Sequence, residues 1–316
     1  MLALRRQSTA YTMLASFPEI LRLPLAWLLL ALNTVINTLP LLLLAVIKAA
    51  IPQRNFRRWI SAVLVRIAEN WIANNVSILH LMTRTKWLVE GAEGLQRRGW
   101  YLVLSNHQSW VDIPVLQRTF NRRIPFLKFF LKKQLIWVPL LGVSWWALDF
   151  PFMQRFSRAF LQKNPQMRGK DAAATRQACE RFRDLPVSVM NFVEGTRFTA
   201  QKHARQQSPF AHLLRPKAGG SALVLGAMGE ILQSLIDVTI VYPDGIPSMS
   251  DLLAGRIRSV HIKVRELPIP AGMVGGDYEN DDAYRTRFQA WINDLWLQKD
   301  AQIALMRASL PAFSEI

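Results

Sequence analysis

The longest uncharged stretch of the chain runs from Leu23 to Ile47 and limits where the N-terminal part can lie. As a helix rising about 1.5 Å per residue, it is long enough to cross a hydrocarbon core of about 30 Å. Asparagine and threonine residues followed by Pro40 interrupt its two leucine-rich halves. The pattern therefore predicts either one kinked spanning helix or a re-entrant helical hairpin with its turn near Pro40. Basic residues at both ends, such as Arg22 and Lys48, favour the hairpin slightly.

Residues 56–82 have the spacing of an amphipathic helix, with apolar side chains such as Ile60 and Leu64 recurring at helical intervals. Such a helix can lie in the bilayer surface or pack on a catalytic domain, and the sequence favours neither. We expect residues 1–82 to form membrane-embedded or interfacial helices and residues 83–316 to form the catalytic domain.

The balance of charge points to an anionic partner. The chain has 39 Lys and Arg residues against 22 Asp and Glu, a net charge of +17, and 51% of its residues are hydrophobic. Its 11 tryptophans and the apolar N-terminal segment favour an anionic membrane surface over nucleic acid, because tryptophan concentrates at bilayer interfaces. The basic residues are scattered and no nucleic-acid-binding motif is present, so we expect no nucleic-acid partner.

The single cysteine, Cys179, excludes an intrachain disulfide and a cysteine-based zinc site. The histidines other than His107 show no metal-ligand spacing of the His-x-x-Glu-His kind, so no metal site is expected. No cofactor is expected either.

From Lys86 onward, short apolar runs alternate with helical patterns, which is typical of an α/β fold. Strands are predicted at 86–90, 100–105, 187–193, 236–242 and 257–265, and helices at 110–120, 156–184, 212–230 and 281–307. The last of these helices carries an apolar stripe and is predicted to be amphipathic. Residues 124–148 are apolar, aromatic and lysine-rich but too short to span a membrane, and either dip into the headgroup region or form core.

The segment Asn106–Asp112 reads Asn-His-Gln-Ser-Trp-Val-Asp and lies where a predicted strand leads into a predicted helix. A histidine beside a carboxylate can act as a general base with an orienting partner. His107 and Asp112 would point about 140° apart on one regular helix, so they meet only if His107 lies on the turn. Taken alone, the pair also suits a buried polar contact, a metal ligand set or a hydrolase using Ser109, although Ser109 is more typical of a helix cap.

A second polar segment, Asn191–Arg197, again ends an apolar strand. Gly195 allows close approach of the backbone to a ligand, Thr196 can donate a hydrogen bond, and Arg197 can bind a phosphate in bidentate fashion. Alone, Glu-Gly-Thr-Arg is more typical of a strand-end turn with a surface ion pair. A third segment, Phe152–Arg155, places an arginine after an aromatic and apolar stretch and is a very weak signal by itself.

Together, in this order and with this spacing, the three segments resemble the motif blocks of the glycerophospholipid acyltransferase superfamily, whose type members are the 1-acyl-glycerol-3-phosphate acyltransferases. The family's Asn-His-x-Ser-x-x-Asp block matches Asn106–Asp112, and its Glu-Gly-Thr-Arg block matches Glu194–Arg197. Its Phe-Ile-x-Arg block matches Phe152–Arg155, with methionine in place of isoleucine and without the family's preceding glycine. Its proline-bearing strand corresponds to Val238–Pro243.

The resemblance is specific over about residues 86–245. Further segments, among them Pro216–Gly219, resemble the lysocardiolipin acyltransferase-like subgroup and bacterial inner-membrane acyltransferases, and extend it over nearly the whole chain. It implies an α/β fold with a mixed sheet flanked by helices and an N-terminal membrane-associated helical segment. It also implies a location in the bacterial inner (cytoplasmic) membrane, with the catalytic domain facing the cytoplasm.

The resemblance implies transfer of a fatty acyl group from acyl-CoA or acyl-carrier protein to the hydroxyl of a lysophospholipid, with 1-acyl-glycerol-3-phosphate as the default acceptor. Other lysophospholipids, such as lysophosphatidylglycerol or lysocardiolipin, stay open as acceptors. A phospholipid hydrolase using the same pair on water and an inactive membrane scaffold are the alternatives from other classes.

The resemblance also suggests a role for each site residue. His107 would be the general base and Asp112 its partner, with Asn106 and Ser109 in support, and backbone N–H groups at the start of the following helix would bind the oxyanion. The acceptor's phosphate would be held by Arg155, Arg197 and Lys217, alongside Gly195 and Thr196. Glu194 would orient Arg197 or a glycerol hydroxyl.

Overall fold

The structure, a computed structural model, describes residues 13–153 and 185–309, together with residues 173, 177, 179, 180, 182 and 183. Two long helices, α1 (Glu19–Ala50) and α2 (Arg54–Met82), precede an α/β domain. The strands are β1 (Lys86–Glu90), β2 (Tyr101–Ser105), β3 (Leu127–Phe129), β4 (Leu131–Lys132), β5 (Phe152–Met153), β6 (Ser188–Phe192), β7 (Ser234–Val241) and β8 (Ser259–Leu267). The further helices are α3 (Asp112–Phe120), α4 (Leu141–Ala147), α5 (Ala200–Gln206), α6 (Gly219–Met228), α7 (Met249–Leu253) and α8 (Asp282–Ala308).

Six strands form one mixed sheet in the order β1-β8-β7-β2-β6-β3, as the α/β prediction and its mixed sheet require. β7 and β8 are antiparallel, and the other neighbours pair in parallel. All residues of β2 and β7 are buried, which suits strands covered on both faces and explains their continuous apolar runs. Because β2 and β6 are parallel neighbours, the segments that follow them leave the sheet side by side.

Alternate residues of β2 enter two separate cores. Val103 packs with α2 and α3 on one face, whereas Leu102 and Leu104 pack with α6 and α8 on the other. The predicted C-terminal amphipathic helix is confirmed as α8, whose buried stripe covers this second face. The predicted helix over 212–230 begins later, at Gly219, and the predicted helix over 156–184 lies largely outside the described residues.

α1 is one continuous helix of 32 residues with Pro24 and Pro40 inside it, so the predicted re-entrant hairpin is wrong. The polar residues that suggested a turn instead join α1 to α2. Asn33 Nδ2 donates to the Trp71 carbonyl at 3.0 Å and to Asn75 Oδ1 at 2.8 Å. Pro40 removes one backbone donor, and packing against α2 and α4 holds the helix through that position.

Within the described part of the chain, α1 is the one helix long and apolar enough to cross a membrane. Much of its apolar surface is not covered by protein. Its exposed large apolar side chains are Ile20, Leu21, Trp27, Leu28, Leu32, Val35, Ile36, Leu39, Leu43 and Val46. α2 packs between α1 and α3, which agrees with the interpretation of residues 56–82 as a helix packed on the catalytic domain.

The apolar segment 124–148 divides into β3, β4, a 3-10 helix (Lys133–Trp137) and α4. Phe129 is buried in the core, whereas Trp137 is 85% exposed and Trp146 is 53% exposed. The segment therefore contributes core at its start and exposes large aromatic side chains further along.

Candidate active site

The turn between β2 and α3 holds the predicted histidine–carboxylate pair. β2 ends at Ser105 and α3 begins at Asp112, so His107 lies on the turn and Asp112 at the start of the helix. His107 Nδ1 is 2.8 Å from Asp112 Oδ2, so the side chains pair as the sequence predicts. Because an ionised carboxylate only accepts hydrogen bonds, Nδ1 carries the proton and Nε2 is the acceptor nitrogen of the ring.

Four donors hold the Asp112 carboxylate. Besides His107, its Oδ2 accepts the backbone N–H groups of Gln108 at 2.6 Å and Ser109 at 2.9 Å, and its Oδ1 accepts the Tyr242 hydroxyl at 2.6 Å. The side chain is fully buried. Burial and the charge of Asp112 raise the pKa of Tyr242 well above its usual value, so this hydroxyl stays protonated and donates. The carboxylate therefore has one position, which also fixes the plane of the histidine ring.

The same hydrogen bonds engage most of the amides before α3 that were predicted to bind an oxyanion. The N–H groups of Gln108 and Ser109 donate to Asp112, and that of Val111 donates to Ser109 Oγ at 3.1 Å. The prediction that Ser109 caps α3 is also wrong. The N-cap position of α3 is occupied by Val111, and no side chain makes a capping hydrogen bond there. Ser109 Oγ instead donates to the Pro247 carbonyl and ties the turn to the segment after β7.

Asn106 anchors the turn to the centre of the sheet. Its Nδ2 donates to the Ile240 carbonyl at 2.9 Å, and its Oδ1 accepts the Ile240 N–H at 2.9 Å. The side chain thus bonds to β7 as a strand backbone would, one residue beyond the end of β2. The predicted supporting position of Asn106 has this physical basis.

The Phe192 ring stacks against one face of the His107 ring. The sequence analysis gave Phe192 no role in the site. The two rings stack with centroids 3.9 Å apart and planes 13° apart. Phe192 pairs with Ser105 across the parallel strands β6 and β2, which brings it beside the residues that follow β2. Tyr242 was also not assigned a role, although it belongs to the segment Val238–Pro243 that the family resemblance identified, directly after the end of β7.

Glu194 does not orient Arg197, and that prediction is wrong. Its carboxylate is buried, and its two oxygens accept the N–H groups of His107 at 2.8 Å and Leu214 at 2.9 Å. Burial raises the pKa of Glu194 to about 7, against the opposing effect of these two amide bonds. Glu194 therefore joins the end of β6 to the turn after β2 and holds the backbone of His107 rather than a ligand.

Gly195, Thr196 and Arg197 reach the same cavity as His107. Gly195 has φ +67°, a left-handed conformation in which glycine has no steric cost, and this redirects the chain after β6. The Arg197 guanidinium lies over the Trp110 ring, 5.0 Å from its centroid, and remains exposed. Lys202 Nζ donates to Thr196 Oγ1 at 2.8 Å and to the Arg197 carbonyl at 2.9 Å, which adds a second cation beside the arginine.

Two further residues, Arg155 and Lys217, were also predicted to bind the phosphate. Arg155 lies outside the part of the chain that the structure describes. Lys217 precedes α6, and its backbone N–H donates to the Val193 carbonyl at 2.7 Å. Lys217 is absent from the described residues that line the cavity.

The cavity has a volume of about 670 Å³ and extends from His107 to the two N-terminal helices. Its walls are mostly apolar and include Trp71 and Leu79 of α2, Phe129 of β3, and Trp27 of α1. His107, Thr196 and Arg197 supply polar groups to this lining. Among the described residues, no group of three or more His, Cys, Asp or Glu side chains could hold a metal ion.

The sequence of this chain is similar to sequences of known acyltransferases. The Acyltransferase family matches residues 86–242. Lysocardiolipin acyltransferase 1 of Danio rerio is 27% identical over 293 residues, covering 86% of this chain and 66% of that protein. The 1-acyl-sn-glycerol-3-phosphate acyltransferase delta of Homo sapiens is 25% identical over 256 residues, covering 77% of this chain and 60% of that protein. The matched region thus spans less than two thirds of the length of these relatives.

Among solved structures, the 1-acyl-sn-glycerophosphate acyltransferase PlsC from Thermotoga maritima has a TM-score of 0.47 and 15% sequence identity. The match covers 88% of this chain and 98% of that one.

Proposed function

Since the chain belongs to the glycerophospholipid acyltransferase superfamily, we propose that it transfers a fatty acyl group from a thioester to the free hydroxyl of a lysophospholipid. The observation that carries this proposal is the His107–Asp112 pair, whose histidine lines a mostly apolar cavity of about 670 Å³. An acyl chain fits the apolar part, and the reacting carbonyl then lies near a general base.

In the proposed reaction, His107 Nε2 takes the proton of the acceptor hydroxyl as its oxygen attacks the thioester carbonyl. The tetrahedral intermediate then expels the thiolate, which receives that proton from the imidazolium, so the histidine ends each cycle neutral. Asp112 stabilises the imidazolium and holds the ring through Nδ1. No covalent acyl-enzyme is needed, so the reaction requires no nucleophilic serine or cysteine.

We assign the acceptor's phosphate to the exposed side of this site. Arg197 is accessible, and Thr196 and Lys202 lie beside it. A guanidinium offers two parallel N–H donors that match phosphate oxygens. Arg155 and Lys217 remain proposed contributors on the basis of their motif positions. The donor's carrier group, coenzyme A or acyl-carrier protein, would lie outside the cavity, and both carriers remain compatible with it.

1-Acyl-glycerol-3-phosphate is the acceptor that we propose first, because a terminal phosphate suits an exposed arginine. A second candidate, a lysocardiolipin or lysophosphatidylglycerol, has support in the similarity to lysocardiolipin acyltransferase 1 over 86% of the chain. Relative rates with the three acceptors, measured at one acyl donor concentration, distinguish them.

We further propose that α1 holds the enzyme at a membrane, specifically the bacterial inner membrane with the catalytic domain in the cytoplasm. The exposed apolar face of α1 and the net charge of +17 support binding to an anionic bilayer. Binding to vesicles containing phosphatidylglycerol is expected to exceed binding to phosphatidylcholine vesicles and to weaken with added salt. Equal binding to the two, unaffected by salt, would contradict an electrostatic contribution.

The proposed transferase activity is tested with two acyl donors, radiolabelled acyl-CoA and carrier protein loaded with the same radiolabelled acyl group. Each donor is supplied with and without lysophosphatidate. Acceptor-dependent labelled phosphatidate is the expected product, and its formation should fall at least about 10²-fold in His107→Ala. Labelled free fatty acid without an acceptor would indicate a hydrolase. No turnover with either donor and any of the three acceptors would indicate a scaffold, and near-normal rates in His107→Ala would exclude the proposed mechanism.

A further inference from the structure

A second concave site lies on the opposite side of α2 from the acyl cavity. Its volume is about 610 Å³, and the charged side chains around it are Arg66 and Glu69 of α2, Arg97 and Arg98 before β2, and Arg122 after α3. Arg97 and Arg98 precede the start of β2, whereas His107 follows its end. A five-residue strand spans roughly 16 Å, so the two sites lie toward opposite ends of β2.

The lining of this site carries four positive charges against one negative charge. Glu69 is buried, and its Oε2 accepts a hydrogen bond from Arg97 at 2.6 Å, so its charge is already matched. Arg66 and Arg98 form no ion pair within the described part of the chain. Like charges brought together in a concavity create a local positive potential that favours an anionic ligand.

The backbone at Arg122 departs from the usual preference of its residue type. Its φ of +62° lies in the left-handed region, which residues with a side chain rarely adopt and which recurs at binding sites. Arg122 also donates to Asn70 Oδ1, which keeps its guanidinium against α2. Two of the four arginines, Arg97 and Arg122, are therefore held in place before any ligand arrives.

We propose that these arginines form a second anion site that binds a phosphate group, carried either by a phospholipid headgroup or by a soluble phosphate ester. Guanidinium groups match the oxygens of phosphate in geometry and charge. The concave shape suits a small anion that arginines can surround. This site is separate from the proposed acceptor site at Arg197 and does not depend on the proposed reaction.

A phosphate bound here would connect three segments of the chain: α2, the connection before β2 and the turn after α3. The opposite face of α2 lines the acyl cavity through Ala68, Trp71 and Ile72. Ligand binding is therefore expected to reduce local opening of α2, which forms one wall of that cavity. Such an effect is measured as slower hydrogen exchange in the α2 amides around residues 66–70.

The test uses the full chain in neutral detergent or in phosphatidylcholine vesicles, and it does not require turnover. Hydrogen exchange is followed while one arm is titrated with inorganic phosphate and glycerol 3-phosphate, and the other with phosphatidate in the vesicles. The double variant Arg66→Gln/Arg98→Gln removes two charges from the site and spares the pair Arg97–Glu69. The matched control, Arg57→Gln/Arg58→Gln, removes two charges from exposed positions of α2 that do not line the site.

We expect protection around residues 66–70, 97–98 and 122 in at least one arm, and the arm that gives it identifies the source of the phosphate. The apparent affinity should fall at least about tenfold in Arg66→Gln/Arg98→Gln and stay within about twofold in the control. An equal fall in both double variants would mean general surface attraction and would overturn the site. Absence of protection at these segments in the wild-type chain, in both arms, would overturn it without relying on any variant.

Discussion

The turns that follow β2 and β6 lie side by side, yet their polar side chains are held in opposite ways. After β2, the Asp112 carboxylate is buried and bound by four donors, and Asn106 is bonded twice to β7. After β6, Arg197 is exposed and rests on the ring of Trp110. Glu194 joins the two turns by accepting the His107 amide.

This difference agrees with the two tasks that we propose for the turns. Proton transfer is sensitive to small displacements, so a general base gains from a partner with a single position. Binding a phosphate at a membrane requires a charge that an incoming headgroup can reach. The comparison predicts that changes after β2 will alter the chemical step, whereas changes after β6 will alter acceptor binding.

The largest effect is expected for Asp112→Asn. The amide oxygen can still face His107 while its NH2 group donates to the Tyr242 hydroxyl, so the fold should persist. Loss of the charge that stabilises the imidazolium should lower kcat by about 10²–10⁴-fold. Tyr242→Phe is the control, since it keeps the charge and removes one donor, at a cost of about 2 kcal/mol in stability. A kcat for Asp112→Asn within tenfold of wild type would contradict a role for the carboxylate in the chemical step.

Glu194 should make the stability of the protein depend on pH. The unfolded carboxyl loses its proton near 4.5, whereas the folded one keeps it up to about 7. Between these values the folded state binds more protons, so the contribution of Glu194 to the free energy of unfolding falls as pH rises, by roughly 3 kcal/mol. As the pH is raised from 4.5 to 8, the denaturant midpoint of Glu194→Gln should fall less, or rise more, than the midpoint of the wild-type protein. An unchanged profile would mean that Glu194 ionises normally.

Arg197→Gln should raise the KM for lysophosphatidate by about 10- to 100-fold, because one charge-assisted contact to phosphate is lost. The kcat at saturating acceptor should change little, in contrast to Asp112→Asn. An acceptor without phosphate, such as a monoacylglycerol, provides the control, since its KM should not respond to the variant. A fall in kcat with an unchanged KM would place Arg197 with the chemical step and remove the proposed division between the turns.

The smallest effect is expected in the cavity that both turns share. Ala68 is buried on α2 and lines this cavity, so Ala68→Leu shortens the space available to an acyl chain. The ratio of rates with 12-carbon and 18-carbon donors should rise severalfold, given about 0.8 kcal/mol per methylene excluded. Ala73→Leu makes the same change on α2 away from the cavity and should leave the ratio unchanged.

Much of the site could be predicted because its elements are local in the chain. His107 and Asp112 are five residues apart, so the boundary between β2 and α3 was enough to predict their pairing. The strands β1, β2, β6, β7 and β8 and the helices α3 and α8 lie close to their predicted positions, because apolar periodicity reflects burial on one or both faces. Gly195 was singled out because glycine allows close approach of the backbone to a ligand; its φ of +67° adds a second reason for glycine at this position, which the sequence did not indicate.

The mistaken predictions concern contacts between residues that are distant in sequence. Tyr242 lies 130 residues from Asp112, and nothing near either residue indicates their bond. Glu194 seemed available for Arg197 because the two are neighbours in a motif, but sheet order places its carboxylate against the amides of His107 and Leu214. The polar residues of α1 suggested a turn until α2 supplied their hydrogen-bond partners.

By itself, then, the sequence determined the α/β class, the motif blocks of the family, the histidine–carboxylate pair and an apolar N-terminal segment. These depend on short-range periodicity, turn chemistry and residue type. The tertiary structure decided which donors hold Asp112, what Glu194 does, where the acyl cavity lies and which arginines converge behind α2. These depend on the order of strands in the sheet and on helix packing, which bring together groups that no local pattern connects.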